Sequence, residues 1–348
     1  MKDSAETDRV IDRFDLIVNG PALFNAVVAA LEFDIFSFLH RSPHSSFDQI
    51  REYVGIQPHK MRVLLHALCA TELIELHESG YANSAAAEQL LVPDGADSWK
   101  HILLGWQKIY YPAFAETTVA LREGRNTALD RHPGTEPTLY QRLSHDSQAE
   151  EVLHRSMAAF TLRSLDGLLD NIELAGVRRL LDVGGGDGTT ATRLAARFPE
   201  TEITVFDLPS VTQLAQDAQP DPGTGRPVRF HPGDLFADSF PRGMDTVLFS
   251  HVLEVFSEQQ IVELLRKAFD ALTPGGKIVL YGFNALDGER RGVYSARLSL
   301  YLNVLATGQG MAYPTEDYEK WLSQVGCVDV KSITGLPYEH GLITGTKK

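Results

Sequence analysis

Residues 178–207, RRLLDVGGGDGTTATRLAARFPETEITVFD, constrain the fold more than any other part of the chain. The short apolar run 180–183 is followed at once by glycines, which is typical of a buried parallel strand. Apolar residues at helical spacing come next and stop before Pro199. A second apolar run, 203–206, ends at Asp207. The pattern predicts a β-α-β unit with a glycine loop after its first strand and a carboxylate at the tip of its second.

This loop has the chemistry of a nucleoside site. Glycine admits a ligand against bare main chain, and the carboxylate of Asp207 can accept both hydroxyls of a ribose. The glycine spacing is G-x-G-x-G, whereas dinucleotide enzymes show G-x-G-x-x-G beside a pyrophosphate. Asp182 and Asp187 would repel a pyrophosphate but attract the sulfonium and ammonium of S-adenosylmethionine. The alternative is a glycine-rich turn in some other α/β protein. The predicted cofactor residues of this unit are Asp182, Gly184, Gly186, Gly188, Asp207 and Leu208.

Four motifs along the chain carry a family resemblance. LLDVGGGDG, VFDLPSV, HPGDLF and LTPGGKIVL occur in that order, as in class I S-adenosylmethionine-dependent methyltransferases. More narrowly, nearly the whole chain resembles the small-molecule O-methyltransferases of plant phenolic and bacterial antibiotic pathways. The resemblance implies a Rossmann-like, doubly wound α/β methyltransferase sheet and an N-terminal, mainly helical winged-helix dimerisation domain.

Composition limits the classes of partner. The 348 residues, 43% of them hydrophobic, are enough for two cores. A formal charge of −14, from 46 acidic and 32 basic residues, argues against nucleic acid. Cys69 and Cys327 lack metal-type spacing and are expected to be packed thiols, so no metal site is predicted. No signal peptide and no stretch of about 20 apolar residues is evident, so a cytoplasmic protein without a membrane partner is expected.

The N-terminal region predicts helices followed by a hairpin. Residues 14–39 are apolar at helical spacing, with a division expected at Gly20-Pro21, and too apolar for a solvated helix. One helix is predicted to start at residues 45–50 and another to span 59–73. A hairpin is predicted over 74–81. This is the winged-helix order without the basic excess that DNA binding requires. The resemblance implies that it is a dimerisation domain, so we expect a homodimer.

The predicted domains are 1–95 for dimerisation, 96–170 for a helical linker and substrate lid, and 171–348 for cofactor binding. Aromatic residues such as Trp106 and Tyr110 in the middle region are either core residues or contacts to the methyl acceptor. The string LHRSMAAFTLRSL resembles the family helix that closes over cofactor and substrate, which implies that Met157 and Phe160 face the pocket.

The β-α alternation continues after the glycine loop. The strand near 228–231 leads to Asp234, whose carboxylate is suited to the exocyclic amine of adenine, while Leu235 or Phe236 would cover the ring. A further strand, 244–250, ends at Ser250, another predicted cofactor residue. The remaining elements predict a doubly wound sheet with a terminal hairpin.

The family pattern breaks in the loop after that strand. The resemblance implies a His-Asp-Trp run there, whose histidine takes a proton from the phenol being methylated. Here these positions are Glu254, Val255 and Phe256, and the carboxylate that orients the histidine corresponds to Tyr313. A phenol at Tyr313 could still bind an acceptor. His251 comes three residues earlier and is either a replacement base or a structural or cofactor-side residue.

The difference in pKa between a phenol and a carboxyl group favours an acceptor other than an ordinary phenol. A phenol has a pKa near 10 and a carboxyl near 4.3, a gap of almost 6 units at about 1.4 kcal/mol each. Glu254 could serve a phenol only if burial raised its pKa by about 2 units. We therefore expect transfer to carbon or nitrogen of a small aromatic or enolic compound, with Glu254 handling charge or a late proton. The alternatives are O-methylation with Glu254 or His251 as base, a non-methylating reaction that uses bound S-adenosylmethionine, and a non-enzymatic partner subunit, against which the intact loop argues.

Overall fold

The structure is a computed structural model that describes residues 2–218 and 227–348. The chain forms two compact units. The first comprises the chain up to Ile109 together with Glu151–Phe160, and the second comprises Tyr110–Glu150 and Thr161–Lys348. The predicted domain boundaries after residues 95 and 170 remain predictions.

The first unit is mainly helical. Its elements are α1 (Lys2–Glu32), α2 (Ile35–Arg41), α3 (Phe47–Val54), α4 (Pro58–Ala70), the hairpin β1 (Ile74–His77) and β2 (Gly80–Asn83), α5 (Ala85–Leu90) and α6 (Trp99–Gly105). Ser46 begins α3 with a reciprocal capping box to Gln49, as the hydroxyl in the sequence predicts. The order of helices and hairpin is the predicted one, while the winged-helix arrangement remains a prediction.

The expected division of the first helix at Gly20-Pro21 is wrong. Helix α1 continues through Pro21, and the chain turns at Asp34, which has a left-handed φ of 56°. A proline inside a helix costs one hydrogen bond and crowds the preceding turn. Burial of Val28 and Leu31 offsets that local cost because both side chains belong to the core of this unit.

The expectation that no long apolar stretch exists is also wrong. Within the residues that the structure describes, Glu6–Glu32 is long and apolar enough to span a membrane by length and composition, with a mean hydropathy of 1.6 over 18 residues. Core helices of soluble proteins meet the same criterion. The cytoplasmic location remains a prediction, and the absence of a long apolar stretch no longer supports it.

The second unit holds a seven-stranded sheet. A π-helical segment, Trp106–Tyr110, leads into it from the first unit, and α10 contributes to both units. Its helices and strands are α7 (Tyr111–Ala113), α8 (Thr117–Glu123), α9 (Leu139–Arg142), α10 (Ser147–Leu169), β3 (Arg179–Val183), α11 (Thr189–Arg197), β4 (Glu202–Asp207), α12 (Pro209–Ala218), β5 (Arg229–Pro232), β6 (Met244–Ser250), α13 (Glu258–Ala271), β7 (Leu272–Phe283), α14 (Val293–Tyr301), α15 (Thr315–Gln324), β8 (Val328–Leu336) and β9 (His340–Thr346).

The strand order is β5-β4-β3-β6-β7-β9-β8. The first five strands of this order, from β5 through β7, are parallel to one another. Strands β9 and β8 form the predicted antiparallel hairpin at one edge. Apolar clusters cover both faces of the sheet, so the doubly wound prediction is confirmed. The order reverses between β3 and β6, and open α/β sheets bind ligands at the carboxyl ends of the strands beside such a point.

The Pro-Gly-Gly sequence at residues 274–276 is typical of a turn but forms part of a strand. Residues 274–276 lie inside β7 because main-chain hydrogen bonds pair them with the end of the chain. Gly275 donates to the carbonyl of Lys347 at 2.8 Å, and Lys347 donates to the carbonyl of Gly276 at 2.8 Å. A partner so distant in sequence is invisible to the local turn signal.

Candidate active site

The glycine loop follows β3 directly. Gly184, Gly186 and Gly188 have φ values of 71°, 58° and 78°, in the left-handed region that side chains disfavour. A Cβ atom at Gly184 would lie 2.8 Å from Val252, whereas one at Gly186 would meet nothing within 4 Å. The main chain at Gly186 therefore borders open space that a ligand can occupy.

Asp207 is tied to this loop from the end of β4. Its Oδ2 accepts a 2.8 Å hydrogen bond from the amide of Gly186, and its Oδ1 accepts one of 2.7 Å from the amide of Leu208. Burial raises the pKa of this carboxyl, and the two amide donors oppose that rise. A carboxylate has about four acceptor positions, so capacity for ribose hydroxyls remains.

Asp182 is a buried carboxyl on β3 with no exposed surface. Neither of its oxygens has a hydrogen-bond partner among residues 2–218 and 227–348. Burial, and then the charge of Asp207, raises its pKa to about 7. A buried carboxylate without a partner is costly, and a cation satisfies it. The fit to S-adenosylmethionine is good, since Asp182 would face positive charge and Asp207 the ribose.

The predicted adenine loop is a tight turn. Asp234 Oδ1 accepts 2.8 Å hydrogen bonds from the amides of Phe236 and Ala237, which lower the pKa of this carboxyl. Leu235 and Phe236 are half-buried against the core. Because Oδ1 already holds the turn, Oδ2 is the oxygen suited to the adenine amine, and that contact remains a prediction.

Lys267 holds the same loop from α13. Its Nζ donates to the carbonyls of Leu235, Phe236 and Asp238 at 2.7, 2.6 and 3.0 Å. A charged ammonium with three carbonyl acceptors fixes the loop main chain. The sequence contains no local signal for this role because Lys267 lies about 30 residues further along the chain.

His251 pairs with His340, so their tautomers can be assigned. His340 Nδ1 lies 3.0 Å from the carbonyl of Pro337, and a carbonyl can only accept, so Nδ1 donates. The Nε2 atoms of the two rings are 2.7 Å apart, so His251 donates and His340 accepts. His251 Nδ1 then accepts from Ser250 Oγ at 3.3 Å. Burial, and then the other imidazole, lowers the pKa of His251 well below its usual value.

Glu254 is buried beneath the end of β7 and only 5% exposed. Its Oε1 accepts a 2.9 Å hydrogen bond from the amide of Phe283. A Cβ atom at Gly282 would lie 1.8 Å from that oxygen, so the strand fits the carboxyl only because glycine is there. Burial raises the pKa of Glu254 to about 7, against two backbone hydrogen bonds that lower it. The carboxyl borders a cavity of about 10 Å³, room for one water molecule.

Tyr313 supports the loop that follows Glu254. Its phenol donates to the carbonyl of Phe256 at 2.9 Å, and its ring packs edge-on against Tyr318 and Trp321. The ring of Phe256 packs edge-on against Phe236 of the adenine loop. In this conformation the Tyr313 hydroxyl is used internally, so its contact with an acceptor remains a prediction.

The other predicted substrate residues are divided between the units. Trp106 and Phe160 are buried in the first unit with ring centroids 6.4 Å apart, while Met157 there is 42% exposed. Tyr110 belongs to the second unit, where its ring stacks on Tyr301 at 4.0 Å.

Sequence reasoning missed several residues around these groups. All of them lie far along the chain from the sequence motifs. Two are near the ends of β6 and β7, and two are near the ring of Tyr110. They are Asn284, His340, Tyr140 and Tyr301.

Known proteins match this chain over nearly its full length. A family model for the O-methyltransferase domain matches residues 114–328, and one for the O-methyltransferase dimerisation domain matches residues 16–93. The L-tyrosine C(3)-methyltransferase of Streptomyces lavendulae is 28% identical over 95% of this chain and 91% of its own length. The tetracenomycin polyketide synthesis 8-O-methyltransferase of Streptomyces glaucescens is 31% identical over 88% of each chain.

The solved structures agree. The apo form of the S-adenosylmethionine-dependent methyltransferase SibL superposes with a TM-score of 0.84 at 30% identity, covering 96% of this chain and 98% of that one. Together with the doubly wound sheet and the loop at Gly186, these matches show that the chain belongs to the O-methyltransferase family and is an S-adenosylmethionine-dependent methyltransferase with an N-terminal dimerisation domain.

Proposed function

We propose that this enzyme methylates a carbon, or a nitrogen that needs no strong base, on a small aromatic or enolic natural-product intermediate. Glu254 handles positive charge on the acceptor and takes the released proton. The observation that carries the proposal is the burial of the Glu254 carboxyl, with a pKa of about 7, at the position of the family histidine.

The pKa of Glu254 suits late proton transfer. A group with a pKa near the working pH is ionised often enough to accept a proton and basic enough to keep it. An ordinary surface carboxyl, near 4.3, is a much weaker base. Because Oε1 is held by Phe283, Oε2 is the atom that takes the proton.

His251 is a poorer candidate for the base. The Nδ1 lone pair accepts from Ser250, and Nε2 donates to His340. The lowered pKa of His251 also makes its imidazole a weak proton acceptor at neutral pH. We assign this pair a positioning role, with Ser250 and His251 shaping the end of β6 beside the cofactor site.

The chemistry balances without another reactant. When bound, S-adenosylmethionine would supply an electrophilic methyl group: the bond from this methyl to sulfur would break as the bond to the acceptor forms, and S-adenosylhomocysteine would be the leaving group. An aromatic carbon that forms the new C–C bond must lose one proton to regain its aromatic system, and Glu254 Oε2 receives it. Partial negative charge on this carboxyl also stabilises the cationic ring before that loss. The C(3)-methylation in the name of the tyrosine-specific relative is consistent with this chemistry.

Product analysis with Glu254→Gln tests the proposal. The new methyl group should be bonded to carbon or nitrogen by NMR, and the variant should lose about 10²- to 10⁴-fold in turnover while binding the cofactor normally. Glu263→Gln changes an exposed carboxyl on α13 and serves as the matched control. A methyl group on oxygen, produced at full rate by Glu254→Gln, would refute the proposal.

The protein is also proposed to act as a homodimer on a small-molecule acceptor. The dimerisation-domain match at residues 16–93 supports this state. So does α1, where Phe14, Leu16 and Ile17 are 59%, 64% and 68% exposed. Apolar residues clustered on one helix are typical of a surface that a partner covers.

A further inference from the structure

Asn284 follows β7 directly and is buried, with 3% of its surface exposed. Its side-chain nitrogen donates to the carbonyl of Tyr313 at 3.1 Å, and a carbonyl can only accept, so the two ends of this amide are assigned. The amide oxygen, Oδ1, has no hydrogen-bond donor among residues 2–218 and 227–348. A buried acceptor without a donor costs free energy, so a bound molecule that donates to Oδ1 would stabilise this region.

The Asn284 oxygen and the Glu254 carboxyl lie on one face of the sheet. Gly282 of β7 and Gly341 of β9 are directly opposite each other. A Cβ atom at Gly282 would lie 1.8 Å from Glu254 Oε1, and one at Gly341 would lie 1.9 Å from Asn284 Oδ1. Cβ atoms of directly opposed residues are about 4.5–5.5 Å apart on the same face. The two oxygens therefore occupy neighbouring positions, in the space that both glycines leave open.

A small cavity connects these two groups to a phenol. Its volume is about 10 Å³, and Glu254, Asn284 and Tyr318 of α15 line it together with apolar side chains. Burial, and then the charge of Glu254, raises the pKa of the Tyr318 phenol well above its usual value. A cavity of this size holds one water molecule, and a buried water needs about two to four polar partners. The lining supplies three.

The donors and acceptors of the three side chains match one water molecule. The ionised carboxyl of Glu254 and the amide oxygen of Asn284 can only accept, whereas a neutral phenol can donate. The phenol of Tyr318 is neutral at physiological pH because its pKa is raised. A water molecule in the cavity can therefore donate one hydrogen to Glu254 and the other to Asn284, and accept from Tyr318.

We propose that Asn284 is a positioning residue that acts on Glu254 through one buried water molecule. The Asn284 oxygen and the Tyr318 phenol hold this water, which donates to the Glu254 carboxylate. The amide of Phe283 donates to the same carboxyl at 2.9 Å, so two donors fix its orientation. The effect of Asn284 on turnover rests on the proposed function, whereas the water site does not depend on the reaction.

The bridge should lower the pKa of Glu254 relative to a site without it, because a hydrogen bond to the charged form favours ionisation. Asn284→Leu keeps a similar shape but removes one acceptor of the water. An amide oxygen that faced the carboxylate directly would have the opposite effect, since it would repel the charge. The charge of Glu254 acts on two phenols, Tyr318 of α15 and Tyr140 of α9, and burial raises the pKa of both above the range in which Glu254 titrates.

Carbon-13 NMR of the full-length enzyme with labelled glutamate carboxyls measures this pKa without turnover. The signal of Glu254 is the one that disappears in Glu254→Gln. In Asn284→Leu the pKa of Glu254 should rise by about one unit, a tenfold change in ionisation, and the inflection of kcat/KM should move with it. Tyr318→Phe removes only the donor to the water and should cause a smaller rise. Gln259→Leu makes the same change from amide to leucine at an exposed position of α13 and should leave the pKa unchanged.

A crystal structure of the wild-type enzyme should contain one ordered water about 2.6–3.2 Å from the Glu254 carboxyl, Asn284 Oδ1 and the Tyr318 hydroxyl. Unaltered S-adenosylhomocysteine affinity in Asn284→Leu shows that the variant is folded, and Tyr318→Phe provides the test if it is not. The assignment is wrong if the pKa of Glu254 falls or stays the same in the folded variant, or if the cavity holds no water.

The two proposals fail separately. A water at this site with the expected change in the pKa of Glu254, in an enzyme whose Glu254→Gln variant is fully active, would refute the role of Glu254 in the reaction and leave the water site standing. Methylation that depends on Glu254, with a pH inflection that does not move in Asn284→Leu, would refute the water bridge alone.

Discussion

Glu254 Oε1 accepts a hydrogen bond from the amide of Phe283 at 2.9 Å, which joins the loop after β6 to the end of β7. This contact fixes the carboxyl beneath the strand, and burial there raises its pKa to about 7. A backbone donor thus orients the Glu254 side chain, and glycine at position 282 leaves room for it.

The pH dependence of the reaction should follow Glu254. Its carboxyl must be ionised to take a proton, so kcat/KM should rise with pH and level off above about 7. In Glu254→Gln this inflection should disappear while slow turnover persists. Rates measured between about pH 5.5 and about pH 8.5 test this, because that range extends roughly 1.5 pH units to either side of the Glu254 pKa of about 7. An unchanged inflection in the variant would assign the titration to another group.

Gly282→Ala should destabilise the protein by about 1–3 kcal/mol, the usual cost of overpacking. The new Cβ would lie 1.8 Å from Glu254 Oε1, so carboxyl or strand must move. Combining it with Glu254→Ala should cost less than the sum of the single changes, because the clash is then removed. Denaturant unfolding of the four proteins measures this coupling, and strict additivity would contradict the contact.

Asp182→Asn should have opposite effects on stability and on cofactor binding. The pKa of Asp182 is raised in the folded protein, to about 7, so folding favours its protonated form. The free energy of unfolding of the ligand-free enzyme should therefore fall as pH rises from about 4 to 7. At pH 8 the variant should be more stable, by on the order of 2–4 kcal/mol.

The same substitution should weaken S-adenosylmethionine binding by about 10- to 100-fold, because it removes the charge that faces the cation. Thermal unfolding and calorimetry measure the two effects. Asp270→Asn, at an exposed position on α13, should change neither. Unaltered cofactor affinity in Asp182→Asn would show that this carboxyl does not contact the ligand.

Lys267→Met should weaken cofactor binding by roughly tenfold, about 1.4 kcal/mol. The ammonium holds three carbonyls of the segment 235–238, and without it that main chain loses its fixed position. Arg266→Met, at the exposed neighbouring position, is the control. Because Lys267 positions the loop, affinity should fall more than turnover at saturating cofactor. Normal affinity would refute the role.

Charged substitutions on α1 should dissociate the proposed dimer. Phe14→Asp combined with Ile17→Asp places two carboxylates among the exposed apolar residues of this helix. Light scattering at micromolar concentration should change from the mass of two chains to that of one. Leu121→Asp, an equally exposed apolar site on α8 of the second unit, should not alter the mass. A wild-type mass near one chain would refute the dimer.

The glycine loop and the β-α-β unit that carries it could be predicted from sequence because their signals are local. The turn at Gly184 and Gly186 and the carboxylate of Asp207 belong to one β-α-β unit of about 30 residues. Glycine freedom at positive φ, apolar runs of strand length and helical spacing act over a few residues. These features therefore predict the doubly wound fold and the glycine loop without information on tertiary contacts.

Only the tertiary structure decided the electrostatic state of the candidate site residues. Glu254 meets Phe283 across 29 positions, and His251 meets His340 across 89. Arg297 contacts the ring of Tyr110, although the glycine loop lies between these two residues in the sequence. Burial and hydrogen-bond partners set each pKa and tautomer, and both depend on which distant segments the sheet brings together. No local pattern encodes that proximity, which is why residue types could be read from the sequence but their chemical roles required the fold.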